Sequence, residues 1–277
     1  MQPAHAPSTT GVLAKARNEN FPVASWLLPG ALRPHLLNVY GFARLADDIG
    51  DEADGNRLAL LDWLQDELGA AFRGQATHPL FQRLSTTIAA FDLPPRPFER
   101  LIEANRRDQT VHRYETFNEL LEYCSLSANP VGELVLRIAE ALTPERLEKS
   151  DATCTGLQLV EFWQDLGEDA GRGRVYLPQE DMERFGYGID DLMAGEINDR
   201  FVKLLEFEAG RTRDFLRRGR GLGADIGGRI GAAIRLFTAG GLAALSDLER
   251  RGFDTFGASG RASRPRRALS AVRELVR

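Results

Sequence analysis

Cysteine and histidine are scarce in this sequence. Cys124 and Cys154 are its two cysteines, and histidine occurs four times among 277 residues. The cysteines form no Cys-x-x-Cys pair, so the sequence predicts neither a disulfide framework nor a zinc site. His35, His78 and His112 lack the spacing of a metal site or a catalytic triad, and we interpret them as structural or exposed. The low cysteine content favours a reducing, cytoplasmic compartment.

Long apolar runs are also missing. The longest apolar stretch, residues 230–245, contains Arg235 and three glycines, which makes it too short and too polar to cross a bilayer. Residues 1–12 are rich in Pro, Ser and Thr and contain no apolar signal core, so they do not resemble a targeting segment. We therefore expect no membrane anchor, although peripheral contact with the inner membrane is compatible with the sequence.

Basic charge is not in surplus. The sequence has 35 Lys and Arg against 40 Asp and Glu, which gives a formal net charge of −5 and a pI near 5.6. Proteins that bind nucleic acid usually have a basic face and a high pI, so we exclude this class of partner. Hydrophobic residues make up 43% of the chain and charged residues 27%, the balance of a globular protein with a substantial core.

Sequence patterns typical of β-strands are nearly absent, and most apolar residues recur at helical spacing. Apolar residues recur close to every 3.6 positions in residues 36–45, 58–68 and 134–138, a pattern that predicts an all-α protein. Pro130 lies inside an apolar pattern and should kink or interrupt its helix, because proline removes an intrahelical hydrogen-bond donor.

The sequence offers no linker long enough to divide it into two domains. We expect one helical domain at residues 18–257, with about ten helices of average length. A flexible tail at residues 1–17 should precede it, and a basic tail at residues 258–277 should follow it.

An acidic cluster lies in the first strongly periodic segment. Asp47, Asp48, Asp51 and Glu52 follow Arg44, and on a helix the three aspartates share one face. Like charges stacked in this way destabilise an isolated helix, so a positive partner should offset them. Mg²⁺ is a natural candidate, because it binds carboxylate oxygens and keeps coordination sites open for a phosphate.

A second acidic cluster has the same spacing. Asp165 and Asp169 are four residues apart, and Glu161 lies one turn before them. Two acidic helix faces flanked by apolar residues suggest the facing walls of a cleft in which metal ions assist the departure of a diphosphate. Acidic groups on helices are also common as solvated faces, and spacing alone leaves that alternative open.

Several stretches resemble the squalene/phytoene synthase family over residues 18–256. They are residues 20–29 (NFPVASWLLP), 40–48 (YGFARLADD) and 168–178 (EDAGRGRVYLP). Within the family, the chain most resembles the bacterial hydroxysqualene synthases of the hopanoid pathway. That second resemblance is carried by residues 19–22 (ENFP), 113–117 (RYETF), 123–124 (YC), 127–132 (SANPVG) and 162–165 (FWQD).

The resemblance implies an isoprenoid synthase fold, a single helical bundle around a central active-site cavity. It implies that magnesium ligands are Asp47, Asp51, Glu161, Asp165 and Asp169. The same comparison implies that the prenyl diphosphate contacts Tyr40, Arg44, Gln158, Arg174 and Tyr176, and that Tyr123 lines the catalytic cleft with the four aspartates. Arg174 and Tyr176 would belong to a flap that closes over phosphate.

The resemblance also implies a reaction. In the hydroxysqualene branch, presqualene diphosphate loses its diphosphate, the cation rearranges, and water captures it. The glycines at 219, 221 and 223 follow an arginine-rich helical segment rather than a strand, so they fail the context of a dinucleotide-binding loop. Without a nicotinamide site, capture by water is favoured over capture by hydride.

Two residues depart from the family pattern. Glu161 stands where the family usually has asparagine, and Gln164 stands where relatives that condense two prenyl diphosphates usually have arginine. Loss of that guanidinium removes a bidentate phosphate partner, which suits an enzyme that handles one diphosphate. Two alternatives stay open: head-to-head condensation of two prenyl diphosphates such as farnesyl diphosphate, and a non-catalytic assembly subunit, which Glu161 would favour.

Other residues have a structural interpretation at least as good as a functional one. Asp108, Arg113 and Tyr114 lie in a segment we predict to be helical, where a local ion pair and packing explain them. Aromatic side chains such as Phe162 and Trp163 could stabilise a carbocation, as could Phe21 and Phe42, but aromatic residues at helical spacing more often belong to the core.

Overall fold

The computed structural model describes residues 28–256, which form helices connected by turns. The twelve helices are α1 (Arg33–Asp51), α2 (Arg57–Phe72), α3 (Pro79–Phe91), α4 (Arg96–Arg107), α5 (Phe117–Ser127), α6 (Asn129–Ile138), α7 (Pro144–Gly171), α8 (Gln179–Phe185), α9 (Ile189–Ala194), α10 (Asp199–Arg218), α11 (Leu222–Ile226) and α12 (Gly228–Arg250). Within this range the only β-type pairing is an isolated parallel bridge between Arg113 and Val175. The prediction of an all-α protein is confirmed.

The number of helices exceeds the expected ten because three of them are very short. Helices α8, α9 and α11 contain 7, 6 and 5 residues, and so few positions give no clear apolar period. The predicted interruption at Pro130 is confirmed: α5 ends at Ser127, and Pro130 lies in the first turn of α6. Proline suits a first helical turn because the amide there has no intrahelical partner.

The described part of the chain contains two large hydrophobic cores and a small third cluster of Leu136, Ala141 and Leu222. The first is built mainly from α1 to α4, and the second mainly from α5 and α7 to α10. Helix α12 contributes Ile230 and Ala233 to the first core and Leu245 and Leu248 to the second. One long helix therefore joins the two cores.

The two acidic segments lie on α1 and α7, which do not pack extensively against each other. Among the described helices, α1 packs on α2, α3, α4 and α6, whereas α7 packs on α5, α6, α10 and α12. Helix α6 is their common neighbour. This arrangement leaves space between the acidic faces.

Glycine permits close helix contacts beside this space. A Cβ atom on Gly132 would lie 2.3 Å from the Ser150 hydroxyl and 2.7 Å from Cys154 Sγ, so α6 can approach α7 only because residue 132 has no side chain. Asn129 on α6 accepts a hydrogen bond from the Thr155 hydroxyl of α7 at 3.0 Å. Packing of α6 on α7 accounts for the small residue at 132.

No helix within residues 28–256 combines the length and hydropathy needed to cross a bilayer. The tails predicted at residues 1–17 and 258–277 lie outside the described residues. So do the family-like stretch at residues 19–22 and Phe21.

A buried pair of carboxyl groups joins α8 to α10. Glu208 is fully buried and Asp181 is 2% exposed, and Arg211 contacts Asp181 Oδ2 at 2.5 Å and Glu208 Oε1 at 3.4 Å. Burial, followed by the charge of Asp181, raises the pKa of Glu208 to about 9. This raised pKa favours the protonated form of Glu208 in the folded protein at neutral pH.

Replacing Glu208 with glutamine should stabilise the protein increasingly as the pH rises. The folded-state pKa of Glu208 is raised, so wild-type folding takes up a proton, and this contribution to stability is lost between the unfolded pKa of 4.5 and about 9. Glutamine imitates the protonated form at every pH. We expect the unfolding free energy of Glu208→Gln, relative to wild type, to grow by a few kcal/mol between pH 5 and pH 9.

Urea unfolding at several pH values measures this difference. Glu206→Gln is the control, because Glu206 lies on the same helix and is exposed. A difference between Glu208→Gln and wild type that does not change with pH would contradict a protonated Glu208.

Candidate active site

One face of α1 carries the first set of predicted site residues. Tyr40, Arg44, Asp47 and Asp51 are spaced by four, three and four residues, so they share one side of the helix. Asp47 is exposed, whereas Asp51 and Tyr40 are half-buried. Asn105 of α4 donates a hydrogen bond from Nδ2 to Asp47 Oδ1 at 3.3 Å.

Arginines supply the positive charge that the first acidic cluster requires. Arg44 contacts Asp48 at 2.9 Å and Glu52 at 3.5 Å along α1. Arg57 of α2 donates to the backbone carbonyls of Gly50 and Asp51, both at 3.1 Å, where a cation is favoured by the dipole at a helix C-terminus. Arg44 was predicted to contact the diphosphate, and here its guanidinium also holds a buried aspartate.

One face of α7 carries the second set. Gln158, Glu161, Asp165 and Asp169 are spaced by three, four and four residues, which again places them on one side. Gln158 donates to Glu161 at 3.4 Å, and Asp169 is 6% exposed. The Thr143 hydroxyl caps the start of this 28-residue helix, which is about 42 Å long and therefore displays all four side chains on one rigid rod.

An ion pair links the two acidic faces. Arg174, in the loop after α7, contacts Asp51 Oδ1 through Nη1 at 2.6 Å. The backbone amide of Arg174 donates to the carbonyl of Asp169 at 2.9 Å, and Gly173 supplies the positive φ of 81° that this turn needs. The end of α7 and the end of α1 therefore meet at one place.

The loop after α7 is fixed by main-chain hydrogen bonds to the connection between α4 and α5. The amide of Val175 donates to the carbonyl of His112 at 2.8 Å, and that of Gln179 donates to Tyr114 at 2.9 Å. Side chains alternate along this extended segment. Arg174 and Tyr176 point towards the acidic faces, whereas Val175 and Leu177 line a groove on the other side.

Four aromatic rings pack together beside the ion pair. They are Tyr114, Tyr123, Phe162 and Tyr176, with ring centroids 3.9–6.1 Å apart. The shortest contact is the stacking of Phe162 on Tyr176 at 3.9 Å and 8°. Burial raises the pKa of Tyr123 and of Tyr176 well above the usual value. These phenols are therefore neutral hydrogen-bonding groups.

Asp108 connects the aromatic rings to the charged residues. The Tyr123 hydroxyl donates to Asp108 Oδ2 at 2.6 Å, and both residues are buried. Burial raises the pKa of Asp108 to about 6, although the hydrogen bond from Tyr123 and the charge of Arg174 act in the opposite direction. The nearby charge of Asp51 raises it further. Asp108 therefore lies within the electrostatic reach of Asp51 on α1 and of Arg174 in the loop after α7.

The expectation for Asp108, Arg113 and Tyr114 was wrong in two respects. Asp108 follows the last residue of α4, and the other two lie in the connection to α5 rather than on a helix. The described contacts of Asp108 contain no ion pair with Arg113, because the carboxylate accepts from Tyr123 instead. These partners are fifteen positions apart in the sequence, and that separation gave no local signal. A buried acid beside a tyrosine is visible only in three dimensions.

The structure thus joins Asp51, Asp169, Tyr123, Arg174 and Tyr176 in one network at the end of the cleft. Gln158 and Glu161 lie further back along α7 and bond to each other. Two predicted core aromatics are confirmed as core. Trp163 is fully buried and donates to the Thr212 hydroxyl at 2.7 Å, and Phe42 packs between Phe81 and Phe98.

A groove of about 230 Å³ lies on the far side of the segment at residues 174–177. Its lining includes Val175, Leu177, Met182 and Tyr187 and none of the predicted metal or diphosphate ligands. Charged groups and buried hydroxyls converge on the opposite side of this segment. We therefore take that side, and not the groove, as the candidate active site.

Oxygen donors suited to Mg²⁺ are available on both helix faces. In residues 28–256, no three His, Cys, Asp or Glu side chains converge closely enough to enclose a metal ion. Mg²⁺ usually binds through one or two carboxylates, with water and substrate phosphate completing its octahedron. Two aspartates on each helix therefore fit this ion in its usual mode, although they form no all-protein cage.

Comparisons with known proteins agree with this architecture. The family model described as squalene/phytoene synthase matches residues 14–268. A hydroxysqualene synthase from Rhodopseudomonas palustris is 39% identical over 214 residues, which cover 76% of this chain and 72% of that protein. A phytoene synthase from Arthrospira platensis is 30% identical over 257 residues, or 86% and 82% of the two chains. The crystal structure of squalene synthase HpnC from Alicyclobacillus acidocaldarius superposes with a TM-score of 0.83 at 42% identity, covering 88% of this chain and 94% of that one.

Replacing Tyr123 with phenylalanine should destabilise the protein, because it leaves the buried Asp108 carboxylate without its 2.6 Å donor. We expect the free energy of unfolding to fall by about 1–3 kcal/mol. Tyr114→Phe is a matched control in the same cluster. The buried Tyr114 hydroxyl has no hydrogen-bond partner among the described residues, so its loss should change stability by less than about 0.5 kcal/mol.

Chemical denaturation of the two variants at pH 7 gives both values. Equal stability losses would show that removal of any hydroxyl from this cluster, and not loss of the bond to Asp108, determines the effect.

Proposed function

Since the chain belongs to the squalene/phytoene synthase family, we propose that it converts presqualene diphosphate and water into hydroxysqualene and diphosphate, with Mg²⁺ as cofactor. The observation that carries the proposal is the Asp51–Arg174 ion pair, which joins the end of the first acidic helix to the loop that follows the second. Hydroxysqualene synthases are among the relatives that this chain matches at 33–39% identity. The product would enter squalene and hopanoid biosynthesis.

The charge distribution supports a substrate with an anionic head and an apolar body. Asp47, Asp51, Asp165 and Asp169 would hold Mg²⁺, and the bound ion would neutralise diphosphate and act as a Lewis acid on its oxygens. Arg174 is placed to exchange its contact with Asp51 for a contact with the phosphate, because guanidinium groups bind phosphate oxygens in bidentate geometry. Tyr40, Arg44 and Gln158 would contact the head group from the two helix faces.

The reaction begins with heterolysis of the bond between the cyclopropylcarbinyl carbon and the diphosphate oxygen. The electron pair leaves with diphosphate, and the carbocation rearranges. Water then forms a new carbon–oxygen bond and loses a proton. The rings of Tyr123, Phe162 and Tyr176 pack together, and an aromatic face open to the substrate would stabilise a cation that is shielded from bulk water.

Gln164 supports the use of one diphosphate rather than two. Its amide cannot replace the bidentate guanidinium that condensing relatives usually have at this position. Head-to-head condensation of two prenyl diphosphates is the second candidate, because the phytoene synthase from Arthrospira platensis matches 86% of this chain and the hydroxysqualene synthase from Rhodopseudomonas palustris matches 76%. Both reactions require the departure of a diphosphate group from a prenyl chain.

Asp47→Ala and Asp165→Ala should each abolish turnover while the helical fold is kept. Each variant removes a proposed metal ligand from a different helix, so we expect the rate to fall by about 100-fold or more. Product formation from presqualene diphosphate and circular dichroism give the two measurements.

Asp214→Ala is the matched control. Asp214 is exposed on α10 and forms only a surface ion pair with Arg217 at 3.3 Å, which contributes little to stability. Normal turnover of both cleft variants would overturn the proposed site.

The products distinguish the two reactions. We expect purified protein to release hydroxysqualene from presqualene diphosphate only when Mg²⁺ is present, and to form no product from farnesyl diphosphate alone. Mass spectrometry of the extracted lipids, with an EDTA-treated sample as control, measures this. A C30 or C40 condensation product from prenyl diphosphates would favour the second candidate. Inactivity on every diphosphate would favour an assembly subunit, the role that Glu161 suggested.

A further inference from the structure

Asn105 connects the first acidic helix to α4. The residue is 6% exposed, and its side-chain amide donates to Asp47 Oδ1 at 3.3 Å and to the carbonyl of Leu101 at 3.0 Å. The bond to the Leu101 carbonyl, one turn earlier on α4, fixes the orientation of the Asn105 side-chain amide. The Asn105 amide that contacts the exposed Asp47 carboxylate is therefore itself fixed in orientation.

The backbone of α1 is shaped to receive this side chain. A Cβ atom at Gly50 would lie 2.1 Å from Asn105 Oδ1, far inside van der Waals contact. Any larger residue at position 50 would push Asn105 away from its present position. Glycine at 50 and asparagine at 105 therefore form a fitted pair between the two helices.

The neutral amide differs from the partners of the neighbouring aspartates. Arg44 and Arg174 form ion pairs with Asp48 and Asp51, and Asn105 gives Asp47 a hydrogen bond from an uncharged amide. A guanidinium at 105 would place a positive charge against Asp47 and would compete with a metal cation. An amide orients the carboxylate and leaves its negative charge in place.

We propose that Asn105 is a positioning residue that orients the Asp47 carboxylate for a divalent cation. The proposal rests on the function proposed above, in which Asp47 is a magnesium ligand. Groups that hydrogen-bond to a metal ligand typically change metal affinity 10–100-fold when they are replaced. Asn105 contacts no substrate in this assignment and acts through Asp47.

Gln109 provides a control at the same helix junction. Its side-chain amide donates to the carbonyls of Gly50 at 3.1 Å and Asn105 at 2.9 Å. Both partners are backbone atoms, so Gln109 ties α1 to α4 without touching the Asp47 carboxylate. A variant at 109 perturbs the junction and leaves the Asn105–Asp47 bond intact.

The test is a titration of the purified full-length protein with Mn²⁺ in the presence of inorganic diphosphate, followed by electron paramagnetic resonance. Mn²⁺ replaces Mg²⁺ as a spectroscopic probe. We expect Asn105→Leu, which keeps the branched shape of the side chain but cannot donate a hydrogen bond, and Asn105→Ser to weaken Mn²⁺ binding about tenfold. Gly50→Ala should act in the same direction because it displaces Asn105, while Gln109→Met should change the affinity less than about twofold.

Turnover provides a second readout. The Mg²⁺ concentration that gives half-maximal rate should rise about tenfold in Asn105→Leu, and the maximal rate should recover at high Mg²⁺. Damage to packing would not be rescued by metal. Thermal unfolding in EDTA identifies the variants that are folded, and Asn105→Ser decides the test if the leucine variant does not fold.

The possible results separate this inference from the proposed function. The positioning role of Asn105 would be overturned if the Asn105 variants bound Mn²⁺ as tightly as wild type, or if Gln109→Met lost as much Mn²⁺ affinity as they do. Either result would leave the proposed function standing. A wild-type protein that binds no Mn²⁺ with diphosphate would overturn the magnesium proposal, and this inference with it.

Discussion

The ion pair between Asp51 and Arg174 is the contact on which the geometry of the cleft depends. Helices α1 and α7 each carry a row of carboxylates, and direct packing of two such faces would bring like charges together in a medium of low dielectric constant. The protein avoids this contact by placing both helices against α6 and closing one end of the gap with a guanidinium. The Asp51–Arg174 ion pair at one end and the packing of both helices on α6 together set the distance between the acidic faces.

The cleft changes character along its depth. Carboxylates and arginines occupy the rim, where Asp47 is exposed, and the rings of Tyr123, Phe162 and Tyr176 lie directly beside them. Asp108 lies at the boundary, bonded to a phenol and within reach of a guanidinium. A ligand with a charged head group and a hydrophobic tail matches this order of environments. Its head group would meet the charged residues, and its tail would meet the aromatic rings.

Periodic patterns were sufficient to predict the helices and their acidic faces. The spacing in α1 and α7 depends only on the 3.6-residue turn, so Asp47, Asp51, Asp165 and Asp169 could be placed on two faces from the sequence. The three short helices could not be found in this way. Nor could the bonds from Asn105 to Asp47 and from Tyr123 to Asp108, because each joins residues whose proximity is decided by packing of the whole bundle.

The loop that carries Arg174 and Tyr176 is held to the α4–α5 connection by main-chain atoms. Every amino acid except proline offers the same amide and carbonyl, so this attachment does not depend on which side chains stand at 113 or 175. Mutational drift at those two positions can therefore reshape the outer groove while the side of the loop that carries Arg174 and Tyr176 keeps its place. The segment therefore lets the groove side vary in sequence without moving the side chains of Arg174 and Tyr176.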